Sequence, residues 1–357
     1  MTDPFTARAG AVGEPPSHYG NPLGEQRELA AGRAIVDLSD RDVLSVTGPD
    51  RLSWLDSLTS QRLTTLAPGD SAETLLLDPS GRVEYAARVL DDGETTWLLL
   101  DAGTGAGLLA FLDRMRFMLR VEVADRAAEF ATIGTLGEIP DAVAGPAGVP
   151  LVWRDPWRAV VAGGHQYADA PRHPGSDWSY AEALIERARL SELDDLPAAG
   201  TLALEALRIA AWRPRAATEV DATTIPHELD WLRSAVHLSK GCYRGQETVA
   251  KVHNLGHPPR RLVLLHLDGS DGVLPEPGDA VLLGETSVGR ITASARHFEF
   301  GPIALAVVKR TADPTAELRV EAGDGTSIAA AQEVIVPPGA GAEADVPRLP
   351  RLGAVRR

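Results

Sequence analysis

Residues 240–247 read KGCYRGQE, and this stretch is the most informative part of the 357-residue chain. Its two glycines, four positions apart, disfavour helix and strand and allow positive φ or a close approach of the backbone to a ligand. Cys242 lies between them, with Lys240 before it and Arg244 after it. Because neighbouring cations lower the pKa of a thiol, the pattern predicts a loop with a reactive cysteine; an inert cysteine in a surface turn is the equal alternative.

The same stretch resembles the K-G-C-[FY]-x-G-Q-E signature of the YgfZ family, folate-binding relatives of the glycine-cleavage T-protein, at every fixed position. Three further segments are similar to that family in register: PDRLSWLDSLT (49–59), LLDPSGRV (76–83) and PHEL (226–229). The resemblance covers roughly residues 20–335. It implies an α+β fold, a ring of two α/β units around a folate pocket, followed by a small C-terminal β-barrel.

The division of the chain follows this reading. We expect a flexible N-terminal arm at 1–20, a folate-binding region of two α/β subdomains at 21–255, the barrel at 256–336 and a disordered tail at 337–357. Apolar periodicity and turn residues predict the elements. Strands are predicted at 41–47, 74–77, 83–90, 95–100, 121–123, 261–267, 280–283, 287–292 and 303–308, and helices at 51–61, 108–118, 182–190 and 202–212.

The resemblance implies a role for each residue of the signature. Cys242 is the reactive thiol, presented at the rim of the folate pocket, and Lys240 and Arg244 lower its pKa. Tyr243 is a possible stacking face for the ligand. The remaining residues shape or anchor the loop through backbone geometry and hydrogen bonds: Gly241, Gly245, Gln246 and Glu247.

Tetrahydrofolate or a derivative is the cofactor that the resemblance implies. Arg208 is expected to contact a carboxylate or a pterin oxygen of that ligand. Family members often carry a pterin-binding glutamate where this chain has Ala210, so Glu205 or Glu219 must serve as the acceptor instead. The aspartate pair of the aminomethyltransferases is also replaced, by Tyr85 and Ala86.

Glu84 lies one position before this replaced pair, and a one-residue shift along a strand turns a side chain to the other face. Glycine cleavage is therefore disfavoured. The function that the resemblance implies is maintenance, assembly or repair of iron–sulfur clusters, with client enzymes or assembly factors as partners. A folate-dependent transferase or demethylase using Glu84 or Asp78, and a non-catalytic binding module, are the alternatives.

Composition narrows the range of functions. Thirty-five basic and 50 acidic residues give a net charge of −15, which argues against nucleic-acid partners. A single cysteine cannot hold a cluster alone, since such clusters usually take four thiolates. The sequence has neither an apolar run long enough to cross a bilayer nor the basic and apolar regions of a signal peptide, so we expect no membrane partner and a cytoplasmic location.

Three weaker patterns favour structural interpretations. GTGAG at 103–107 lacks the last glycine of a dinucleotide loop and reads as a loop before a helix. His237, Cys242, His253 and His257 have irregular spacing for a metal site, and we predict no metal. Trp153 and Trp157 read as core residues more than as ligand-stacking faces.

Overall fold

The computed structural model describes residues 4–344. Its helices are α1 Pro22–Ala30, α2 Arg51–Leu58, α3 Gly105–Met115, α4 Thr201–Ala210, α5 Ala216–Glu219 and α6 Gln246–Leu255. Its strands in the first two-thirds are β1 Ile35–Asp37, β2 Asp42–Thr47, β3 Ser71–Leu77, β4 Val83–Asp91, β5 Thr95–Leu100, β6 Glu122–Asp125, β7 Phe130–Thr135, β8 Val152–Arg154, β9 Ala181–Glu186 and β10 Ala198–Ala199. The later strands are β11 Arg260–Leu267, β12 Ala280–Leu283, β13 Thr286–His297, β14 Gly301–Lys309, β15 Leu318–Glu321 and β16 Ser327–Val334.

The first sheet is antiparallel and has the order β3-β4-β5-β2-β6. Its strands are rich in buried apolar residues. The strand predicted at 95–100 is found at those positions. Helices α2 and α3 cover one face, where Trp54 and Leu112 pack with the buried leucines of the sheet. The other face looks toward the second sheet.

The second sheet has the order β10-β1-β7-β9-β8, with one parallel pair between β1 and β10. Its inner strand β9 occupies residues for which the sequence predicts a helix at 182–190, and that prediction is wrong. Alanine, glutamate and leucine favour a helix locally. Pairing on both sides, with β7 and β8, overrides this preference, and only a 3-10 turn follows at Arg187–Leu193.

The last third forms a closed barrel with the strand order β11-β14-β13-β12-β15-β16, as the sequence predicts. Its closing pair joins β11 to β16. The barrel has its own apolar interior, but its outer residues Leu264 and Leu305 belong to the main core together with Leu77 of the first sheet and Leu184 of the second. The two sheets and the barrel therefore share one continuous core.

The first helix ties the chain's beginning to its last third. Gln26 is buried and donates from Nε2 to the carbonyl of Arg296 at 2.8 Å, while its Oε1 accepts the N–H of Phe298 at 3.0 Å. Both groups lie in or just after β13. Helix α1 is thus clamped between the second sheet and the barrel.

The segment before α1 is packed, in contrast to the flexible arm expected over residues 1–20. Phe5 is fully buried, and Arg8 donates to the carbonyls of Leu193 and Leu196 at 2.7 Å. The Phe5 side chain packs with apolar residues of the second sheet, and this burial holds the segment in place. Residues 1–3 lie outside the described part, and the domain boundaries stay a prediction.

The described part of the tail also packs. Ala340 is buried, and its carbonyl lies 2.8 Å from Nδ1 of His257. The rest of the expected disordered tail, residues 345–357, lies outside the described residues. Within residues 4–344, no helix has both the length and the apolar character needed to cross a membrane.

Candidate functional site

A cavity of about 370 Å³ lies between the two sheets and helix α4. Its size is within the range of small-molecule sites. The lining combines charged and aromatic side chains: Asp40, Arg41, Glu73, Arg88, Asp101, Asp155, Trp178, Tyr180, Glu205, Arg208, Arg213, Arg215 and Trp231. It is therefore much more polar than an ordinary apolar pocket.

Two arginines of the lining, Arg41 and Arg88, are held from behind by Glu182, the second residue of β9. This fully buried carboxylate accepts from Arg41 and from the Tyr180 hydroxyl at 2.9 Å, and forms an ion pair with Arg88 Nε at 3.1 Å. Burial alone raises the pKa of Glu182, but attraction to Arg41 and Arg88 outweighs it and leaves the pKa lowered. Glu182 is consequently ionised and fixes both guanidinium groups at the base of the cavity.

Asp101, at the end of β5, extends this network. Its Oδ1 accepts from Arg88 Nη2 at 3.0 Å, and its Oδ2 accepts the backbone N–H of Ala217 at 3.2 Å. Burial opposes ionisation of this carboxyl, but Arg88, Arg41 and Arg215 hold its pKa well below the usual range. Asp101 joins the first sheet to α5 as a permanent anion.

The opposite wall is built on Arg213. Its Nε donates to Asp155 Oδ2 at 2.9 Å and its Nη2 to Glu73 Oε1 at 2.7 Å, and Trp178 Nε1 donates to the same Asp155 oxygen at 2.8 Å. The guanidinium carbon lies 5.3 Å from the Trp157 ring centroid. These bonds fix Trp178 against the cavity as an aromatic wall.

Arg208 lines the cavity, but its N–H groups are directed at the protein. Nε and Nη2 donate to the two oxygens of Glu205, Nη1 donates to the Arg213 carbonyl at 2.6 Å and to Glu219 Oε2 at 3.0 Å, and Nη2 also reaches Thr218 Oγ1 at 3.5 Å. A guanidinium has five N–H groups, and all are used. The predicted contact of Arg208 with a folate is corrected to a positioning role.

That correction brings Glu205 forward as the residue that faces the cavity. Of the two acceptors considered in place of the family glutamate, Glu205 lines the cavity and Glu219 is fully buried behind Arg208. The pKa of Glu205 is lowered to about 2, because attraction to Arg208 and Arg215 outweighs burial. An ionised carboxylate is an acceptor at neutral pH.

Two donors of the lining have no protein partner among the described residues. They are the buried Trp231 Nε1 and the buried Arg215 Nε. A buried donor left unpaired is costly, so a ligand acceptor that reached either nitrogen would stabilise it. Together with the Trp178 and Tyr180 rings, they fit a flat heteroaromatic molecule with carboxylate or carbonyl oxygens.

The signature loop lies outside this cavity, since none of residues 240–247 lines it. Cys242 is exposed at the surface. The expectation that the thiol borders the folate pocket is therefore corrected. The physical reason lies in the anchors of the loop, which are all on the first sheet and its helix α2.

Lys240 is the deepest of these anchors. Its Nζ donates to the carbonyls of Asp56, Thr59 and Gln61, the last two at 2.7 and 3.0 Å. Asp56 lies in the last turn of α2, where helix carbonyls lack partners, and Thr59 and Gln61 follow the helix. Burial lowers the pKa of Lys240, against the attraction of Asp56 Oδ2 at 3.4 Å. The ammonium is thus engaged with α2, and its predicted role beside the Cys242 thiol is corrected.

The two glycines of the loop differ in their surroundings. Gly245 has φ +81° and starts α6, and a Cβ there would lie 2.6 Å from the Asp78 carbonyl oxygen. Gly81, in the turn of the β3–β4 hairpin, faces it with φ +80°. Gly241 has no such restriction, with nothing within 4 Å of its Cβ position. Only Gly245 meets the geometric role predicted for both.

The remaining loop residues are placed as follows. Tyr243 is buried in the main core, with the Lys240 Nζ 5.2 Å from its ring centroid, so it offers no face to the cavity. Arg244 pairs with Glu84 of β4 at 2.7 Å. Gln246 Nε2 donates to the Lys240 carbonyl at 3.4 Å, while Glu247 is exposed.

Strand β4 brings no carboxylate to the cavity. Ala86 lines the cavity, and Tyr85 packs with the core between the first sheet and its helices. Glu84 lies where the β3–β4 register shifts and turns outward to Arg244. Asp78 Oδ1 accepts the N–H groups of Ser80 and Arg82, both at 2.8 Å, within the turn. Neither acid proposed for a transferase reaches the cavity.

The structure also places the weaker patterns of the sequence. His253 Nδ1 lies 2.9 Å from the Tyr167 hydroxyl, and no group of three or more potential ligands within residues 4–344 is arranged to hold a metal ion. Trp153 and Trp157 are fully buried, which confirms their place in the core. Gly105 begins α3, as a loop preceding a helix requires.

Sequence reasoning missed most of the charged cavity lining, and the carboxylate of Glu182 behind it: Arg41, Glu73, Arg88, Asp101, Asp155 and Arg213. One signal was available for part of this set. Charged residues inside otherwise apolar strands, such as Arg88 in β4, are rarely buried unless they are paired. The identity of each partner depends on the packing of the sheets, which the local sequence does not contain.

Comparisons with known proteins agree with this architecture. A search against models of known protein families gave no match. The chain is 24% identical over 76% of its length to a chloroplastic protein of Arabidopsis thaliana with the provisional name of a transferase, and spans 65% of that protein. It is 25% identical over 86% of its length to an aminomethyltransferase of Herpetosiphon aurantiacus, and covers 89% of that protein.

A third relative is a mitochondrial homologue of the iron–sulfur cluster assembly factor IBA57 from Mycosarcoma maydis. It is 26% identical over 65% of this chain and 56% of its own length. Among solved structures, the glycine cleavage system aminomethyltransferase T from Bartonella henselae matches with a TM-score of 0.70 and 19% identity, covering 94% of this chain and 96% of that chain. The fold is therefore that of the aminomethyltransferases, with mixed α/β sheets and a C-terminal barrel.

Proposed function

We propose that this protein is an accessory factor of the YgfZ type, which binds a tetrahydrofolate-type ligand and supports assembly or repair of iron–sulfur clusters in client enzymes. The observation that carries the proposal is that the loop with the chain's single cysteine is firmly anchored while the cysteine itself is exposed. Three separate elements hold it: the end of α2 through Lys240, the hairpin turn through Gly245 and β4 through Arg244. Such support for an exposed thiol suits chemistry on a partner protein.

The similarity to a homologue of an iron–sulfur assembly factor supports the same direction. The cavity supports the ligand. Its aromatic wall, the unpaired donors of Trp231 and Arg215 and the ionised Glu205 match a pterin ring with attached carboxylates. Tetrahydrofolate would be held there by this chain's own residues, away from Cys242.

The chemistry of the cavity speaks against glycine cleavage in spite of the aminomethyltransferase relatives. Ala86 occupies the place where the transferases carry an acidic residue, and Glu84 points away. Asp101, which follows β5 of the first sheet, is a carboxylate of the lining, and it is bonded to Arg88 and Ala217. Turnover of sarcosine with tetrahydrofolate that disappears in Asp101→Asn would replace our proposal with a transferase.

The thiol is tested in cells that lack the protein. Cys242→Ala is expected to leave the activity of iron–sulfur enzymes at the level of the deletion, because the exposed thiol is the group that acts. Gly241→Ala changes the neighbouring residue without a clash and is the matched control, expected to restore activity fully. Full restoration by Cys242→Ala would remove the thiol from the mechanism.

The ligand is tested by calorimetric titration with tetrahydrofolate and 5-formyltetrahydrofolate. Trp231→Phe replaces the indole by a smaller aromatic ring and removes its N–H, so binding is expected to weaken by about fivefold to tenfold, the worth of one hydrogen bond. Arg33→Ala, at an exposed pair with Glu28, is the control and leaves affinity unchanged. Absence of binding to both folates would favour the non-catalytic binding module.

A further inference from the structure

The loop between α3 and β6 presents the most exposed large apolar side chains in the described part of the chain. Phe117 is 83% exposed and Met118 is 98% exposed, and Leu119 beside them is 42% exposed. Contiguous exposed apolar residues mark interaction surfaces more often than single ones do. We call residues 117–119 the apolar tip.

The composition around this tip is unusual for the chain. Two of its three methionines and two of its six phenylalanines fall within residues 111–118. Methionine adapts its shape to different partners, and it is enriched on surfaces that bind several of them. Phe117 and Met118 face outward, whereas Phe111 and Met115 are half-buried against the core of the first sheet.

The backbone of the tip is strained. Phe117 has φ +45°, a left-handed conformation that glycine adopts freely but that is unfavourable for a bulky residue. Phe117 and Met118 are both exposed, so no burial of their side chains within the chain offsets the backbone strain. Strain of this kind collects at binding and functional positions.

An open groove of about 860 Å³ lies between α3, which precedes the tip, and the signature loop. It starts at Met115 and Phe111 on α3 and ends at Arg244, two residues after Cys242. The guanidinium carbon of Arg244 lies 5.7 Å from the Phe111 ring centroid. A segment bound along the groove would therefore end beside the exposed thiol.

The charge of this region defines its occupant. Residues 111–120 contain three arginines and one aspartate, in a chain of net charge −15. The Glu84 carboxylate of the groove is paired with Arg244, whereas Arg114 also lines the groove, is exposed and makes no ion pair within residues 4–344. We infer that the apolar tip and this groove dock a protein partner through a short segment of apolar and acidic side chains.

Docking at this surface places the partner next to Cys242. The inference deepens the proposed function and rests on it for the partner's identity: the segment belongs to the iron–sulfur protein that the thiol serves. Two other occupants are outcomes of the test, a lipid surface entered by the tip and a second copy of this chain.

The test uses the full chain and a short fluorescein-labelled peptide built only of glutamate, leucine and phenylalanine. Fluorescence anisotropy is expected to show binding that weakens at least about tenfold in Phe117→Gly with Met118→Ser. Glycine suits the backbone at 117, so this variant folds. Phe300→Ser, which removes a 53% exposed phenylalanine on the barrel, is the matched control and binds like the wild type.

Charge is tested separately. Arg114→Glu is expected to weaken binding of the glutamate peptide and to strengthen binding of a lysine peptide with the same apolar pattern. Two results overturn the inference: equal binding of both peptides by all variants, or sedimentation with phosphatidylcholine–phosphatidylglycerol vesicles that depends on the tip while the peptide fails to bind. Tip-dependent self-association in analytical ultracentrifugation overturns it as well.

Cells that lack the protein separate this inference from the proposed function. The tip variant is expected to lower iron–sulfur enzyme activity while it retains wild-type affinity for folate. If Cys242→Ala restores activity fully, the proposed function fails, and peptide binding still decides the docking surface. If Cys242→Ala is inactive and the tip variant is fully active, the docking surface fails alone.

Discussion

At the scale of one residue, the contacts of Lys240 explain why a lysine occupies this position in a chain with few lysines. An ammonium has three N–H groups, and three carbonyls converge on it at the end of α2. The planar fork of an arginine does not match this arrangement. The sequence pointed to a compact cation at this position, but it gave no sign that the cation serves the backbone.

Replacing Lys240 by methionine is therefore expected to lower the free energy of unfolding by about 2–4 kcal/mol, because buried carbonyls lose their donor. Urea denaturation measures this effect. Lys251→Met, on the exposed side of α6, is the control and should change stability by less than about 0.5 kcal/mol. Equal stability of both variants would contradict the anchoring role.

Asp230 makes stability depend on pH. Burial raises its pKa to about 7 from an ordinary 3.8, although Oδ1 accepts the Tyr167 N–H at 2.6 Å. The folded chain keeps this proton above pH 4 while the unfolded chain releases it. The folded state therefore binds more protons between pH 4 and 7, and the contribution of Asp230 to stability falls as pH rises through that window.

Asp230→Asn removes this contribution. Asparagine also tolerates the left-handed φ of +55° at this position. Between pH 5 and pH 7.5, we expect the variant to lose about 2 kcal/mol less stability than the wild type does, measured by urea denaturation at both pH values. Parallel pH curves for the two proteins would rule out Asp230 as the titrating group.

At the scale of elements, two glycines from distant parts of the sequence form one contact. A Cβ on Gly245 would meet the Asp78 carbonyl, and one on Gly81 would meet Thr248 at 2.8 Å. The hairpin turn and the start of α6 approach through these two positions. The sequence singled out both segments, but their contact is visible only in the fold.

Gly245→Ala is expected to destabilise the protein by about 1–3 kcal/mol, from positive φ and a backbone clash. The same change at Gly241 meets neither obstacle and is expected to be neutral. Thermal denaturation of the pair measures the difference. A neutral Gly245→Ala would show that the turn and the loop adjust independently.

The elements that the sequence predicted well are those with strong local patterns. The hairpin strands of the first sheet and the strand at 280–283 follow alternation and turn residues, and both were found. The helix predicted at 182–190 is wrong because pairing of β9 with strands on both sides outweighs helix propensity. Arg208 was predicted to contact the ligand, but its five bonds to neighbouring residues could not be derived from spacing.

At the scale of the whole molecule, the barrel is joined to the rest by more than a linker. Arg260 at the start of β11 pairs with Asp221 at 2.6 Å and with the buried Glu228 at 2.7 Å. Apolar residues of the barrel wall extend the main core. The class and order of these units follow from the sequence and its resemblance, whereas the shared core depends on how they pack.

Such packing predicts one cooperative unfolding transition for the ligand-free protein. Differential scanning calorimetry should give a single peak whose calorimetric and van't Hoff enthalpies agree. Domains connected only by linkers and polar interfaces unfold separately. Two resolved peaks would show that the barrel is an independent unit.

The clamp on α1 has a consequence for synthesis. Gln26 bonds to a residue 270 positions later in the chain. At about 5–20 residues per second, a ribosome needs on the order of 15–50 s to make that distance. During this interval the first helix has been translated but cannot complete its contacts. Leu29 on its buried side lacks the core residues of the barrel until those have been synthesised. The helix that emerges first is among the last to be finished.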